Sequence, residues 1–204
     1  MLFDDTYFSI QQKSEGLYKD KGSKFIACAC PVKTEKEIKD IIAFLKKEHH
    51  GARHHCYAYR LGADKQTYRS NDDGEPSNTA GKPILGQIQS KDLTNILIVV
   101  VRYFGGTLLG VSGLINAYKL AAADALHKAT IVEHHVLFEY EITFGFEQMN
   151  EVMKLLKENN CKITAQQFDN NCSITFHLRK GVTEKVEQQI QQIKGIKLNF
   201  RAVI

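Results

Sequence analysis

The chain has 204 residues, 43% of them hydrophobic and 25% charged, with 27 basic against 23 acidic side chains and a formal net charge of +4. That balance suits one large or two small globular domains whose core needs no metal or disulfide staple. It excludes a polycation, so any nucleic-acid contact must come from a local patch.

Near the start, Asp4 and Asp5 interrupt the apolar stretch after Phe3, so no signal peptide is expected. The longest strictly apolar run, residues 96–101, is too short to cross a bilayer, and no membrane role is expected. Five cysteines (Cys28, Cys30, Cys56, Cys161 and Cys172) include no C-x-x-C pair. They argue against a zinc ribbon or a thioredoxin-like site and for a reducing cytoplasm. Cys28 and Cys30 share one face of an expected strand and read as small buried hydrophobes.

In chain order, residues 14–19 and 24–29 read as strands separated by a turn at Lys21-Gly22. Thr34 caps the next helix, and Glu37 three residues on completes a capping box. Ile38, Ile41, Ile42 and Leu45 give that helix one apolar face. Residues 54–61 form a strand that 66–69 pair with across a turn at Gly62, and 70–76 form a polar loop. Two helical segments flank a continuous apolar, β-branched run at 95–101, the mark of a strand covered on both faces. The second helix spans 112–127, with Leu114, Ala117, Tyr118, Ala121 and Ala125 turned inward.

A boundary is expected near His134-His135, dividing a domain over 1–133 from one over 136–204. The second reads as strand 136–144, helix 146–158 and a hairpin of 162–168 with 172–178 across Asp169-Asn170-Asn171. Helix 182–193 and strand 197–203 follow. Met149, Val152, Met153 and Leu156 line the first helix, and Val182, Val186, Ile190 and Ile193 the second. The order β-α-β-β-α-β is the ferredoxin-like arrangement. It carries no active-site motif, so an interaction module with a protein partner is the default.

The signal for function lies between Arg69 and Lys119. The apolar run ends in Arg102-Tyr103-Phe104-Gly105-Gly106, and Gly110 and Gly113 follow before the helix. Glycine at this density implies positive φ or close approach of a backbone or ligand. A strand, glycine-rich loop and helix start together make an anion site, with phosphate the usual occupant. Arg102 could contact phosphate bidentately, Tyr103 or Phe104 could stack on a base, and Lys119 stands close in sequence. The same residues also read as the closed end of a core with tight helix–strand packing. Both readings stand at this point.

A rival constellation is Asp72, Asp73 and Glu75 with His55, which would suit a metal-dependent small-molecule hydrolase. Its plain reading is a turn in which Asp73 and Gly74 meet backbone needs. On a strand, His54 and Cys56 face one side and His55 and Tyr57 the other, so not all can serve one site. No histidine or cysteine pair has four-ligand zinc spacing, and neither a metal nor a cofactor is expected.

The motif from Val99 through Arg102-Tyr103-Phe104-Gly105-Gly106 continues as Leu109-Gly110, Gly113-Leu114 and Ala117-Tyr118. Upstream stand Asp72-Asp73-Gly74-Glu75-Pro76, Thr79-Ala80-Gly81 and Pro83. Together they resemble the IMPACT/YigZ family over about residues 14–130. The carboxy-terminal part is similar to a domain of elongation factor G that YigZ-type members carry. The resemblance implies an α+β protein: a ribosomal-protein-S5-like (domain 2) first domain followed by the ferredoxin-like one. It implies a role near translation. The leading expectation is binding of RNA or the ribosome without catalysis, with Arg102, Tyr103, Phe104, Gly105, Gly106, Gly110, Gly113 and Lys119 as the binding residues. Two departures weaken the grip on phosphate: Leu108 stands where many members have lysine, and Asn116 where many have arginine.

Overall fold

The computed structural model describes residues 5–169 and 171–204; Phe3 and Asp4, which bear on the expected lack of a leader, and Asn170 of the expected turn lie outside them. The chain divides into two compact units, one of residues 7–134 and one of residues 135–204 together with the amino-terminal residues through Thr6.

The first unit runs β1 (Thr6–Ile10), β2 (Ser14–Asp20), β3 (Ser23–Pro31), α1 (Glu35–Glu48), β4 (His54–Leu61) and β5 (Thr67–Asn71). It continues with α2 (Gly81–Ser90), β6 (Ile96–Tyr103), α3 (Gly110–Lys128) and β7 (Ile131–His135). Its main sheet has the order β2-β3-β6-β4-β5, with every neighbouring pair antiparallel, while β1 and β7 pair separately. The central strand β6 explains the layering. Side chains alternate along a strand, so Ile96, Ile98 and Val100 join the core beneath α2 and α3, and Leu97, Val99 and Val101 join the core beneath α1. The uninterrupted apolar run is the consequence of helices on both faces.

Local chemistry places the helices. Thr34 Oγ1 accepts from Glu37 N at 3.2 Å, as a cap should. Glu37 Oε2 reaches back to Lys33 N at 2.8 Å, one residue before the position a capping box uses. Ile38 and Leu45 are buried, with Ile41 and Ile42 half-buried at the edge of the same face. Helix α3 begins at Gly110, two residues before the sequence pattern suggests, and its inward face is Leu114, Ala117, Tyr118, Ala121, Ala122, Ala125 and Leu126.

The second unit is β8 (Leu137–Phe144), α4 (Met149–Glu158), β9 (Lys162–Phe168), β10 (Cys172–Arg179), α5 (Thr183–Gln191) and β11 (Lys197–Val203). Its sheet order, β11-β8-β10-β9, is the ferredoxin-like one, and the protein as a whole is α+β. The core joins Tyr140, Ile142 and Phe144 to Val152, Leu156, Ile174, Phe176, Val186 and Ile190. Three details differ from the helical stripes expected. Phe146 and Val182 lie in short 3-10 turns before the helices and are exposed, and Met153 is exposed where Leu155 is buried. The stripe of α4 centres on Val152 and Leu156, which leaves position 153 a hundred degrees round the helix.

Candidate functional site

Arg102 continues the alternation of β6 and so points to the α2/α3 side of the sheet, beside Phe25 on β3. It is only 6% exposed. Its Nη1 donates to Glu75 Oε1 at 2.6 Å, and Tyr118 Oη from α3 donates to the same oxygen at 2.8 Å. Glu75 is 8% exposed. The guanidinium carbon lies 5.6 Å from the ring centroids of both Phe25 and Phe104. Such cation–ring contacts offset part of the desolvation of the charge. Arg102 Nε is buried without a hydrogen-bond partner among the described residues.

Cys56 closes the cluster from β4, its Sγ 3.0 Å from Asp72 O and 3.3 Å from Tyr118 Oη. Burial pushes the Cys56 thiol up to about 12 and the Tyr118 phenol far above its ordinary value. Both stay protonated, so Tyr118 serves as a donor to the carboxylate. The two motifs that look separate in the chain, the acidic loop and the arginine at the strand end, therefore meet at one oxygen of Glu75.

The other acidic residues are each committed elsewhere. Helix α2 has no side-chain cap of its own at Ala80. Asp72 caps it from a distance, Oδ1 accepting from Ala80 N at 3.0 Å and Gly81 N at 2.8 Å, and Oδ2 from Asn78 N at 2.9 Å. Asp73 takes a left-handed φ of 42°, and Gly74 follows at 88°. Asp73 Oδ2 accepts from His55 N at 2.7 Å and Oδ1 from Lys46 Nζ at 3.0 Å. Burial raises the Asp73 carboxyl, but the His55 amide and the Lys46 ammonium outweigh it and hold the group below its ordinary value.

His55 is buried on the α1 side of β4, and burial lowers its pKa, so it is neutral at pH 7. Among the described residues no group of three or more His, Cys, Asp or Glu could hold a metal ion. Of the expected hydrolytic set, only His55 and Asp73 come together, Nδ1 3.8 Å from Oδ2, while Asp72 caps a helix and Glu75 pairs with an arginine.

The aromatic and glycine residues also divide. Tyr103 alternates to the α1 side, where its Oη lies 2.9 Å from His49 Nδ1 and its ring meets that histidine edge-on. It shares no face with Arg102. Phe104, by contrast, is 54% exposed above the guanidinium. Gly105 is a seam: its N donates to Ser23 Oγ at 3.1 Å, and a Cβ there would sit 1.9 Å from the carbonyl carbon of Gly22.

Gly106 and Gly110 take φ of 87° and 73° with open space where a Cβ would point. Gly110 opens α3, whose cap position, Leu109, offers no side-chain acceptor and whose first turn has no acidic residue. Gly113 lies half-buried in that turn. Leu108, 83% exposed, together with Val111 and Ile115 makes the surroundings apolar. Lys119 is exposed but nine residues into α3, roughly 13 Å along the axis from its start.

Arg102, Phe104 and Glu75 come together, then, and Tyr103, His55 and Lys119 do not join them. The partners that sequence reasoning left out of the site are Tyr118, Cys56 and Phe25. Tyr118 carried a visible signal, a polar tip on an otherwise alanine-rich inward face, which needs a buried partner.

The family model and the curated relatives agree on one group. The family model described as the Impact N-terminal domain matches residues 21–126, just over half of the chain. An IMPACT family member from Haemophilus influenzae is 35% identical over 188 residues, covering 90% of this chain and 88% of its own. The IMPACT family member YvyE from Bacillus subtilis is 28% identical over 196 residues, covering 96% and 90%. Protein IMPACT from Homo sapiens is 34% identical over 94 residues, which is 45% of this chain and 29% of the human one. A crystal structure of a hypothetical protein superposes with a TM-score of 0.76 at 28% identity, covering 98% of each chain. On this evidence the chain belongs to the IMPACT family.

Proposed function

We propose that this chain binds RNA, with the ribosome as its place of action, in the regulation of translation. The observation that carries this reading is Phe104, a ring left 54% exposed over a buried guanidinium and six residues before an uncapped helix start. A base can stack on such a ring, worth about 1–3 kcal/mol per base. The start of α3 supports the backbone contact. Unlike α2, whose first N–H groups are taken by Asp72, α3 has no side-chain acceptor and no acidic residue to compete with a phosphate.

Arg102 acts from beneath, supporting the Phe104 ring, rather than as the exposed anchor that the sequence suggests. Its burial against Glu75 accounts for that change of role. A cytoplasmic location fits five unpaired cysteines. No helix among the described residues is long and apolar enough to cross a membrane. The second unit is proposed as the surface for a protein partner.

The test is binding of the full chain to fluorescent single- and double-stranded RNA across a salt series. Saturable binding that weakens as salt rises is expected, together with a loss of tenfold or so in Phe104→Ala and a steeper salt slope in Leu108→Lys. Absence of binding at low salt, or an unchanged affinity in Phe104→Ala, would overturn the reading.

A further inference from the structure

Cys28 and Cys30 lie two residues apart on β3, both on its α1 side. Both are buried, and their sulfurs are 3.4 Å apart. The sulfurs meet as a thiol–thiol hydrogen bond places them, so two sulfur donors already stand side by side on one face of the strand. We propose that this pair is a two-sulfur site for a soft monovalent metal cation of the Cu(I) or Ag(I) class.

The strand decides between the two things a thiol pair can do. A rise of about 3.3 Å per residue puts the two Cα atoms about 6.6 Å apart. That lies within the roughly 4.4–6.8 Å that disulfides span, but same-face Cβ atoms on an extended strand are also about 6.6 Å apart, against the roughly 3.5–4.5 Å a disulfide needs, so oxidation would bend the strand. A linear two-thiolate bridge fits better. With metal–sulfur bonds near the 2.3 Å seen for zinc, the sulfurs would stand about 4.6 Å apart. Side-chain rotation of roughly an ångström in all reaches that span and leaves the β2-β3-β6 ladder intact.

Donor chemistry narrows the cation. Thiolate sulfur favours soft ions such as Cu(I) over Mg²⁺ or Ca²⁺. Zinc wants four ligands, and no third His, Cys, Asp or Glu joins the pair among the described residues. The pair belongs to an apolar cluster with Val32, Leu45 and Val101. A cleft of about 410 Å³, lined by Cys28 with Ile26, Leu45 and Val101, opens to the site, and Glu15, Lys24, Glu48, His49 and Lys128 stand at the same cleft. Binding forms two metal–sulfur bonds and releases both thiol protons to solvent, with no change of oxidation state. The bound unit carries one net negative charge; Lys13, paired with Glu15 at 2.9 Å, stands near it.

The experiment is anaerobic competition between the full chain and a coloured Cu(I) chelator, followed by X-ray absorption of the loaded wild-type protein. One Cu(I) per chain withdrawn from the chelator, a two-sulfur first shell, and at least a tenfold loss in both Cys28→Ala and Cys30→Ala are expected. Cys161→Ala should bind as wild type does. No withdrawal, a first shell containing nitrogen or more than two sulfurs, or binding that survives either substitution would overturn the proposal. The absorption measurement needs no variant, so a misfolded substitution does not decide the result.

Discussion

Arg102 and Glu75 stand 27 residues apart in the chain and share a 2.6 Å hydrogen bond between side chains that are almost fully enclosed. Each charge is tolerable in the interior only because the other is there. Arg102→Ala is therefore expected to destabilise the protein by about 3–5 kcal/mol, by stranding a buried carboxylate. The double variant Arg102→Met with Glu75→Gln should recover most of the loss. Denaturant unfolding of both variants checks this, and a double variant no better than Arg102→Ala would show that the pair is not the cause.

Asp72 spends its carboxylate on three backbone N–H groups at the start of α2. Asp72→Ala should lower stability by about 1–2 kcal/mol, as the loss of a helix cap does. Asp72→Asn keeps an acceptor oxygen and should lose less. Equal urea midpoints for the two variants would contradict the capping role.

The response to acid should begin at His55. Burial lowers its folded pKa below the ordinary 6.5. Between those two values the unfolded chain binds more protons, so the stability present above pH 6.5 drains away as pH falls toward the folded value. Asp73, held below its ordinary 3.8, adds a second loss that starts near that pH and grows as pH falls further. Urea midpoints between pH 7 and 3 should show both limbs, and His55→Gln should flatten the upper one while leaving the lower.

Two adjacent glycines should respond differently to the same substitution. Gly105→Ala drives a methyl into the Gly22 backbone and is expected to lose about 3 kcal/mol, since neither chain segment is a flexible side chain. Gly106→Ala has open space and should lose only the roughly 1–2 kcal/mol of a left-handed φ. Gly106→Asn should lose less than Gly106→Ala, because asparagine tolerates that conformation. Thermal unfolding of the three variants separates steric from conformational strain.

Much of the fold was legible in one dimension. The run from Ile96 to Val101 announces a strand covered on both faces, and the alanines of α3 announce close packing. The βαββαβ order of the second unit follows from alternating periods of two and 3.6. These signals are local, because a side chain's face depends on its own element's geometry.

The alternation rule even contains the separation of Tyr103 from Arg102, since adjacent strand residues face opposite ways. What the tertiary structure alone decided is which polar groups meet. Glu75 finds Arg102 and Tyr118, Asp72 finds α2, and Asp73 finds β4, because the fold brings loops, strands and helices together across 8 to 43 residues of chain. Burial presses charges and hydroxyls toward partners that no local pattern names, and this placed Arg102 against Glu75 beneath the exposed Phe104 ring.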